Sequence, residues 1–532
     1  MSTLWYGGPI YTLQTDGHTV ETVLTDNGKI IATGSKKELE EQYENRIEEK
    51  YNLNGSTMIP GFVDSHLHLI GHGEKLLRLD LSHHKSKTDV LHAVKEYALT
   101  IESGQWIIGE GWNENAWEDS TPIVRKELDE VAPKHPVLLK RICRHALVVN
   151  SLALEAASIS EETICPQGGR IEKDEIGQLN GIFKEKAQNL ILAAVPKPSN
   201  SYLKSALKAA IMDAHKQGIV GVHSEDLAYY NGFESTYNLF KEVIEDEGAR
   251  FRAHLLVNYL VMDEFQRTEG SFLKGNEWLE FGAIKIFADG SLGGRTALLS
   301  HPYADDPTTN GVAIFSQEKL NELVDRARKL EMPVAIHTIG DLAFEMAVEA
   351  LEKHPLESPG KDRLIHAQIL RRELIERAKR LPLILDIQPT FVISDFPWVI
   401  DRIGSDKMDY CYAWKTLLNE NIQCAGGSDA PIESISPLLG IYAAVARQNP
   451  YSKDKIVYNP KEALSCYEAV SLYTKGSANA ACHERERGII KEGYAADFTI
   501  LDKNIFECET EEIINININN TVVGGEVVYT RQ

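Results

Sequence analysis

Six residues of types that bind metal ions stand at the ends of short apolar runs in this chain. Two of them, His66 and His68, are two residues apart in an extended segment, so both side chains point to one side and can reach the same metal ion. Imidazole and carboxylate groups are ligands that suit zinc and similar divalent ions. The six candidates are His66, His68, Lys285, His337, His366 and Asp429.

Each of these residues also has a structural explanation. A histidine among 17 is more often a satisfied core residue than a ligand, a buried lysine is usually an ion-pair partner, and Asp429 could cap a helix before Pro431. Burial lowers the pKa of a lysine, however, and an uncharged amine can add carbon dioxide to form a carbamate that bridges two cations. The joint pattern, with each residue at a strand end, favours a metal centre.

The elements that would position these residues are short β-rich runs separated by helical patterns. Eight such runs alternating with helices predict an α/β fold, a closed (β/α)8 TIM-type barrel that carries its active site at the carboxyl ends of the strands. The runs are Met58–His66, Ile219–His223, Phe251–Val257, Gly282–Phe287, Val334–His337, Arg363–His366, Leu383–Ile387 and Ile422–Gly426.

Two further parts flank or interrupt the predicted barrel. The gap between the first two runs is far longer than a normal crossover, so we predict an inserted lid over about residues 99–198. Both termini are rich in strand and turn signals, including Asn27-Gly28 between two apolar runs. We therefore predict that residues 1–57 and 488–532 form one β-sandwich, with the barrel spanning 58–487.

Composition limits the partners and the location. The 532 residues include 56 Lys and Arg against 78 Asp and Glu, a net charge of −22 that disfavours nucleic acid. Seven scattered cysteines, without a C-x-x-C pair, argue against a disulfide framework and a zinc ribbon. No secretory signal or membrane-length apolar run is visible, so we expect a cytoplasmic protein that does not bind membranes.

Several longer motifs resemble one family of hydrolases. The chain is similar to the metal-dependent amidohydrolase superfamily, and specifically to its YtcJ-like branch (amidohydrolase family 3), over nearly its whole length. The lid motifs and the motif around Lys285 make the branch assignment specific. The motifs are Ile59–His68, Gly109–Trp117, His145–Leu154, Gly168–Ile171, Lys285–Thr296, Ala335–Asp341, Ile365–Gln368, Gly427–Glu433 and Gly488–Leu501.

The resemblance implies a set of roles for these residues. His66, His68 and Asp429 would bind one divalent ion, His337 and His366 a second, and Lys285, carboxylated by carbon dioxide, would bridge the two ions, which we expect to be zinc. A hydroxide shared by the ions would attack a small-molecule amide, and Asp429 would act as the catalytic proton shuttle.

Substrate contacts and assembly are less constrained by the sequence. Lid residues and residues on the loop after the bridging lysine could contact substrate, although aromatic residues in an insertion more often pack than recognise ligands. A homodimer is a further expectation. The candidates for substrate binding are Trp117, Arg144, His145, Asp289 and Arg295.

Two other functions remain open at this point. A mononuclear deaminase of the same superfamily would lack the bridging lysine and use an acidic residue near the strand-five histidine, a place that Asp341 could fill. A non-catalytic relative that regulates the production of other enzymes would be expected to have lost metal ligands. All six ligand positions are intact here, which favours an enzyme.

Overall fold

The computed structural model describes residues 2–114, 117–119, 121–141, 146–166 and 168–532. The chain forms two compact units, one containing residues 1–72 and 210–532 and the other residues 73–209. It passes from one unit to the other within helices α2 (Leu69–Leu77) and α7 (Asn200–Lys216).

The first unit contains a nearly closed barrel of parallel strands. Within the described residues eight strands pair in chain order, and each lies beside the next. They are β6 (Phe62–Leu67), β13 (Ile219–Ser224), β14 (Arg252–Asn258), β15 (Leu279–Phe287), β16 (Val334–Thr338), β17 (Asp362–His366), β18 (Leu383–Ile387) and β19 (Gln423–Gly426). The predicted (β/α)8 barrel is therefore confirmed.

The barrel strands are apolar along most of their length because helices and the barrel interior cover both of their faces. β13, β14, β17 and β18 are buried at every position. Arg363 on β17 crosses the interior: it donates to Asp386 on β18 at 2.8 Å and to the Ser65 carbonyl on β6 at 2.6 Å. The buried ion pair joins the neighbouring strands β17 and β18, and the bond to Ser65 joins β17 to β6, which is not its neighbour.

One predicted strand boundary is wrong. The run Met58–His66 divides at Gly61 into two strands, and Gly61 packs so closely on Val220 that a Cβ there would lie 2.5 Å from that side chain. The first part, Thr57–Pro60, belongs to a different sheet, and only the second part enters the barrel. The change of sheet at Gly61 sets where β6 begins.

The strands at the two ends of the chain form one sheet. They are β1 (Thr3–Tyr11), β2 (Thr19–Asp26), β3 (Lys29–Gly34), β4 (Glu49–Asn52), β5 (Thr57–Pro60), β20 (Phe498–Leu501), β21 (Ile518–Val523) and β22 (Glu526–Thr530). Met58 on β5 pairs with Ile500 on β20, so the two ends meet at the centre of that sheet. Asn27-Gly28 turns β2 into β3 with positive φ at both residues, as predicted.

Helices follow most barrel strands. Their apolar faces pack on the strands, as Leu320, Leu323 and Val324 of α10 illustrate. The helices that lie wholly in the first unit are α1 (Lys36–Tyr43), α8 (Phe233–Lys241), α9 (Met262–Arg267), α10 (Gln317–Lys329), α11 (Asp341–Lys353), α12 (Arg372–Ala378), α13 (Phe391–Asp395), α14 (Trp398–Ile403), α15 (Trp414–Asn419), α16 (Pro437–Ala446), α17 (Cys466–Ser471) and α18 (Ser477–Ala480).

The second unit, residues 73–209, contains a mixed sheet with its own apolar core. Its strands are β7 (Leu79–Asp80), β8 (Ile107–Trp112), β9 (Val137–Arg141), β10 (Ala146–Val149), β11 (Gly169–Lys173) and β12 (Leu179–Glu185), and its helices are α3 (Lys87–Ala98), α4 (Arg125–Val131), α5 (Ser151–Ala156) and α6 (Gln188–Leu192). Across the described residues, no helix has the length and apolar character needed to span a membrane.

Candidate metal centre

The six candidate ligands lie at the carboxyl end of the barrel. His66 is on β6 and His68 follows that strand, while Lys285, His337 and His366 are near or at the ends of β15, β16 and β17. Asp429 follows β19. Because parallel strands present their carboxyl ends to the same rim, side chains far apart in the sequence meet there.

Distances within this cluster show how closely the groups meet. Lys285 Nζ is 3.1 Å from His66 Nε2, and Asp429 Oδ1 is 3.5 Å from His66 Nε2 and 3.6 Å from His68 Nε2. The ring centroids of His337 and His366 are 4.4 Å apart, and the ring centroids of His366 and His66 are 5.8 Å apart. One ligand atom each from His66, His68 and Asp429 lie within 4.8 Å of one another, a spacing suited to a metal ion.

Hydrogen bonds orient three of the four imidazole rings. Nδ1 of His68 lies 2.6 Å from the Glu225 carbonyl, and Nδ1 of His337 lies 3.0 Å from Asp289 Oδ1. Nδ1 of His366 lies 2.7 Å from Gln388 Oε1. Because each partner is an oxygen acceptor, each Nδ1 carries the hydrogen and each Nε2 keeps its lone pair, the arrangement that a histidine needs to bind a metal ion.

Electrostatics favour neutral imidazoles in this cluster. Burial, together with the nearby Lys285 ammonium, lowers the pKa of His68 to about 4 and the pKa values of His66 and His366 well below their usual range. Burial likewise lowers the pKa of the Lys285 amine and raises that of the Asp429 carboxyl group. The neutral imidazoles of His66 and His68, the Asp429 carboxylate and the readily deprotonated Lys285 amine are donors that fit a divalent ion.

The backbone at the rim is held in an uncommon conformation. His366, Ala367 and Asp429 have φ values of 78°, 47° and 57°. Hydrogen bonds hold them there, from the Ala367 N–H to the Thr338 carbonyl at 2.9 Å and from the Asp429 N–H to the His66 carbonyl at 2.8 Å. Non-glycine residues with positive φ recur at functional sites, where surrounding contacts maintain them.

Of the candidate substrate contacts, Asp289 lies closest to the ligands but is not open to solvent. Its side chain is fully buried, and it accepts the N–H groups of Leu298, Ile339 and Gly340 at 2.9, 3.1 and 2.8 Å as well as bonding His337. Asp289 therefore holds His337 and the turn after β16, and its substrate contact stays a prediction.

Two of the remaining candidates, Arg295 and Trp117, lie within the described residues and have partners of their own. Arg295 is bound by Asp305 through two bonds of 3.1 and 2.9 Å. Trp117 is buried in the apolar core of the second unit, where its Nε1 donates to the His84 carbonyl at 3.1 Å. Arg144 and His145 lie outside the described residues.

The sequence interpretation missed several polar residues around the cluster. The Glu225 carboxylate, which is fully buried, accepts from Tyr229 Oη at 2.8 Å and from Asn258 Nδ2 at 3.0 Å, while Gln388 orients His366. Each follows or ends a predicted barrel strand, so the rule that barrel enzymes place functional groups at strand ends could have found them. Asp64 lies within the motif Ile59–His68, but Ser428, whose N–H it accepts, is 364 residues away along the chain.

A parallel barrel with histidines, a lysine and an aspartate at its carboxyl rim is the arrangement of a hydrolase of the amidohydrolase type. The family model described as "Amidohydrolase family" matches residues 49–529, and the chain belongs to this family, in its YtcJ-like branch.

Relatives agree with this assignment over the full length. The chain is 50% identical over 531 residues to the Bacillus subtilis (strain 168) protein named "Putative amidohydrolase YtcJ", covering 100% of both chains. It is 26% identical to "N-substituted formamide deformylase" of Arthrobacter pascens, covering 98% of this chain and 97% of that one.

A solved structure of a similar protein supports the fold. A metal-dependent hydrolase from Pyrococcus horikoshii superposes with a TM-score of 0.81 at 28% identity, covering 96% of this chain and 99% of that one. Family membership and these relatives support hydrolase activity for this chain.

Proposed function

We propose that this protein hydrolyses the carbon–nitrogen bond of a small-molecule amide at the six-residue cluster. The observation that supports this most directly is the orientation of the imidazoles. His68, His337 and His366 each use Nδ1 to bond an oxygen acceptor, which directs Nε2 toward ligand binding. Such orientation is what a metal-dependent hydrolase requires.

Two divalent ions, which we propose to be zinc, would polarise the amide carbonyl and lower the pKa of a water molecule between them. His66, His68 and Asp429 would hold one ion, and His337 and His366 the other. Lys285 would join the two halves as a carbamate made with carbon dioxide. Its amine is buried and lies 3.1 Å from His66 Nε2.

Asp429 would be the catalytic acid and base. Its carboxylate is buried and lies 3.5 Å from His66 Nε2 and 3.6 Å from His68 Nε2, so it would face a water molecule held there. It would accept the proton of the attacking water and donate it to the leaving nitrogen. The bond from its N–H to the His66 carbonyl fixes the carboxylate beside His66 and His68.

The substrate class is supported by a named relative. Because the Arthrobacter pascens relative is an N-substituted formamide deformylase, we propose small N-acyl or N-formyl amides as substrates. The deaminase alternative is less well supported. Asp341, which would be its acidic residue, accepts from the Ser300 N–H at 2.8 Å and pairs with Arg371 Nε at 2.7 Å, so it is committed to structural bonds.

The test combines metal analysis with a substrate screen. Zinc-loaded protein should contain two ions per chain by elemental analysis and should hydrolyse members of a panel of N-formyl amines, N-acetyl amines and cyclic amides. Asp429→Asn should lower kcat at least 100-fold. Asp409→Asn is the control, since that side chain is 78% exposed.

Other results would contradict the proposal. One ion per chain, with ammonia released from aminated heterocycles and no amide cleaved, would indicate a deaminase. An Asp429→Asn variant with normal kcat on an amide would exclude the proposed role for Asp429.

A further inference from the structure

Three aromatic side chains surround the candidate ligands at the barrel rim, and we call Tyr229, Phe287 and Phe391 the aromatic collar. Each contacts a different histidine. Tyr229 lies 5.8 Å from His68, Phe287 5.6 Å from His337 and Phe391 6.2 Å from His366, measured between ring centroids. They come from the loop after β13, the end of β15 and the start of α13.

The collar residues are not core residues. Tyr229 is 38% exposed, and Phe287 and Phe391 are partly exposed. Large apolar side chains that keep exposed surface beside a reactive centre commonly bind apolar groups of ligands. The Tyr229 ring is also fixed, because its hydroxyl donates to Glu225 Oε2 at 2.8 Å.

Two carboxylates lie at the ligands. The Asp429 carboxylate is among the ligands, and Glu225 lies fully buried beside His68, with its Oε2 3.8 Å from Nδ1 of that histidine. Three guanidinium groups in the described part of the chain after β15, β17 and β18 are already bound to carboxylates of the protein. Arg295 and Arg402 bind Asp305, and Arg371 binds Asp341.

From the collar and these charges we infer that the preferred substrate is an uncharged amide with a bulky apolar substituent, in preference to an N-acyl amino acid. This inference rests on the proposed amide hydrolysis, which it deepens. The apolar substituent packs against Phe287 and Phe391, while the amide group reaches the ligands. A carboxylate on the substituent would instead lose its hydration against the apolar rings, and a small substituent would leave the collar unused.

Matched compounds can test each part. N-formylphenethylamine and N-formylphenylalanine differ by one carboxylate, and N-methylformamide lacks the apolar group. We expect N-formylphenethylamine to have a kcat/KM about 10- to 100-fold above that of N-methylformamide, as burial of a phenyl group predicts. Its kcat/KM should also exceed that of N-formylphenylalanine, because a carboxylate loses its hydration beside apolar rings. Phe391→Ala and Phe287→Ala should remove most of this advantage, whereas N-methylformamide should change less than threefold.

A binding measurement separates the collar from catalysis. N-phenethylmethanesulfonamide cannot be hydrolysed as an amide, and calorimetry gives its dissociation constant. Phe391→Ala should raise this constant at least 10-fold, and Phe391→Leu, which keeps most of the volume, should raise it less. Phe315→Ala is the control, because Phe315 packs on Tyr259 at the same rim, at 5.4 Å between centroids.

Each outcome decides one of the two proposals. Equal affinity of the sulfonamide for the original protein and for both alanine variants would overturn the collar. Equal kcat/KM for N-formylphenylalanine and N-formylphenethylamine would overturn the preference for an uncharged substrate. Sulfonamide binding that depends on Phe391, without hydrolysis of any amide, would support the collar and contradict the proposed function.

Discussion

The carboxylate of Asp64 accepts the backbone N–H of Ser428, with N···O distances of 3.0 and 3.1 Å. Asp64 lies on the first barrel strand and Ser428 follows the last, so this bond crosses the seam of the barrel. Asp64 Oδ1 also accepts the His66 N–H at 3.0 Å. One fully buried carboxylate thereby connects the segments that carry His66 and Asp429.

Replacing Asp64 should therefore disturb the metal centre. In Asp64→Asn one acceptor oxygen becomes a donor that faces backbone N–H groups, so His66 and Asp429 lose their alignment. We expect a 10- to 100-fold loss of metal affinity, the range seen when groups that orient ligands are removed. Metal titration of the variant, with circular dichroism to confirm folding, measures this.

The control for that experiment is Asp362→Asn at the amino end of β17. Asp362 is also buried and accepts a backbone N–H, that of Val334 at 2.9 Å. The Asp362→Asn variant should lose stability but keep its metal affinity. Equal loss of metal affinity in both variants would mean that Asp64 acts only through general stability.

The bridging role proposed for Lys285 predicts a specific pattern of rescue. Lys285→Ala should lose most activity and at least one ion, because the carbamate would supply an anionic oxygen to each metal ion. Acetate or propionate should restore some turnover by occupying the vacated space. Lys285→Arg should not, since a guanidinium stays protonated and cannot form a carbamate.

Metal content and rate are the measurements for Lys285. A Lys285→Ala variant with two ions and a normal rate would show that the lysine is a structural cation. That result would leave the other five ligands without a bridge and would require a different model of the site.

Asp289 should behave as a residue that positions His337, not as one that binds substrate. In Asp289→Asn the amide nitrogen faces N–H donors of Leu298, Ile339 or Gly340, so the turn after β16 shifts and His337 loses its acceptor. We expect lower kcat and weaker binding of one of the two ions, with KM changed less than threefold. A raised KM with normal kcat and metal content would instead indicate substrate contact.

A buried histidine distant from the ligands should make stability depend on pH. Burial lowers the pKa of His215 to about 4, although a hydrogen bond of 3.0 Å to the Arg250 carbonyl raises it in part. As pH falls from about 6.5 to 4, the unfolded chain binds a proton that the folded protein does not. Stability therefore decreases over this range, by up to about 3 kcal/mol from this group.

His215→Gln should reduce that loss, because glutamine can donate the same bond without titrating. Urea unfolding between pH 7 and 4 measures it as a smaller decrease than in the original protein. His83→Gln, at a side chain that is 90% exposed, is the control and should follow the original protein. Identical pH profiles for all three proteins would contradict the assignment to His215.

The barrel and its ligand positions were predictable because both depend on local features. Apolar runs of strand length, with a polar residue where each run ends, indicate parallel strands and a common rim. His66 and His68, two apart on an extended segment, had to face one side. The division of the run Met58–His66 at Gly61 was not predictable, because Gly61 lies there against Val220, a residue far away in the sequence.

The roles of the residues around the ligands depended on the tertiary structure. Asp289 and Trp117 have residue types that suit substrate binding, yet one bonds four groups of the protein and the other packs in an apolar core. Residue type and spacing along the chain determine what a side chain can do. The partner that reaches within 3 Å, as Ser428 reaches Asp64 from 364 residues away, is decided by how distant segments pack.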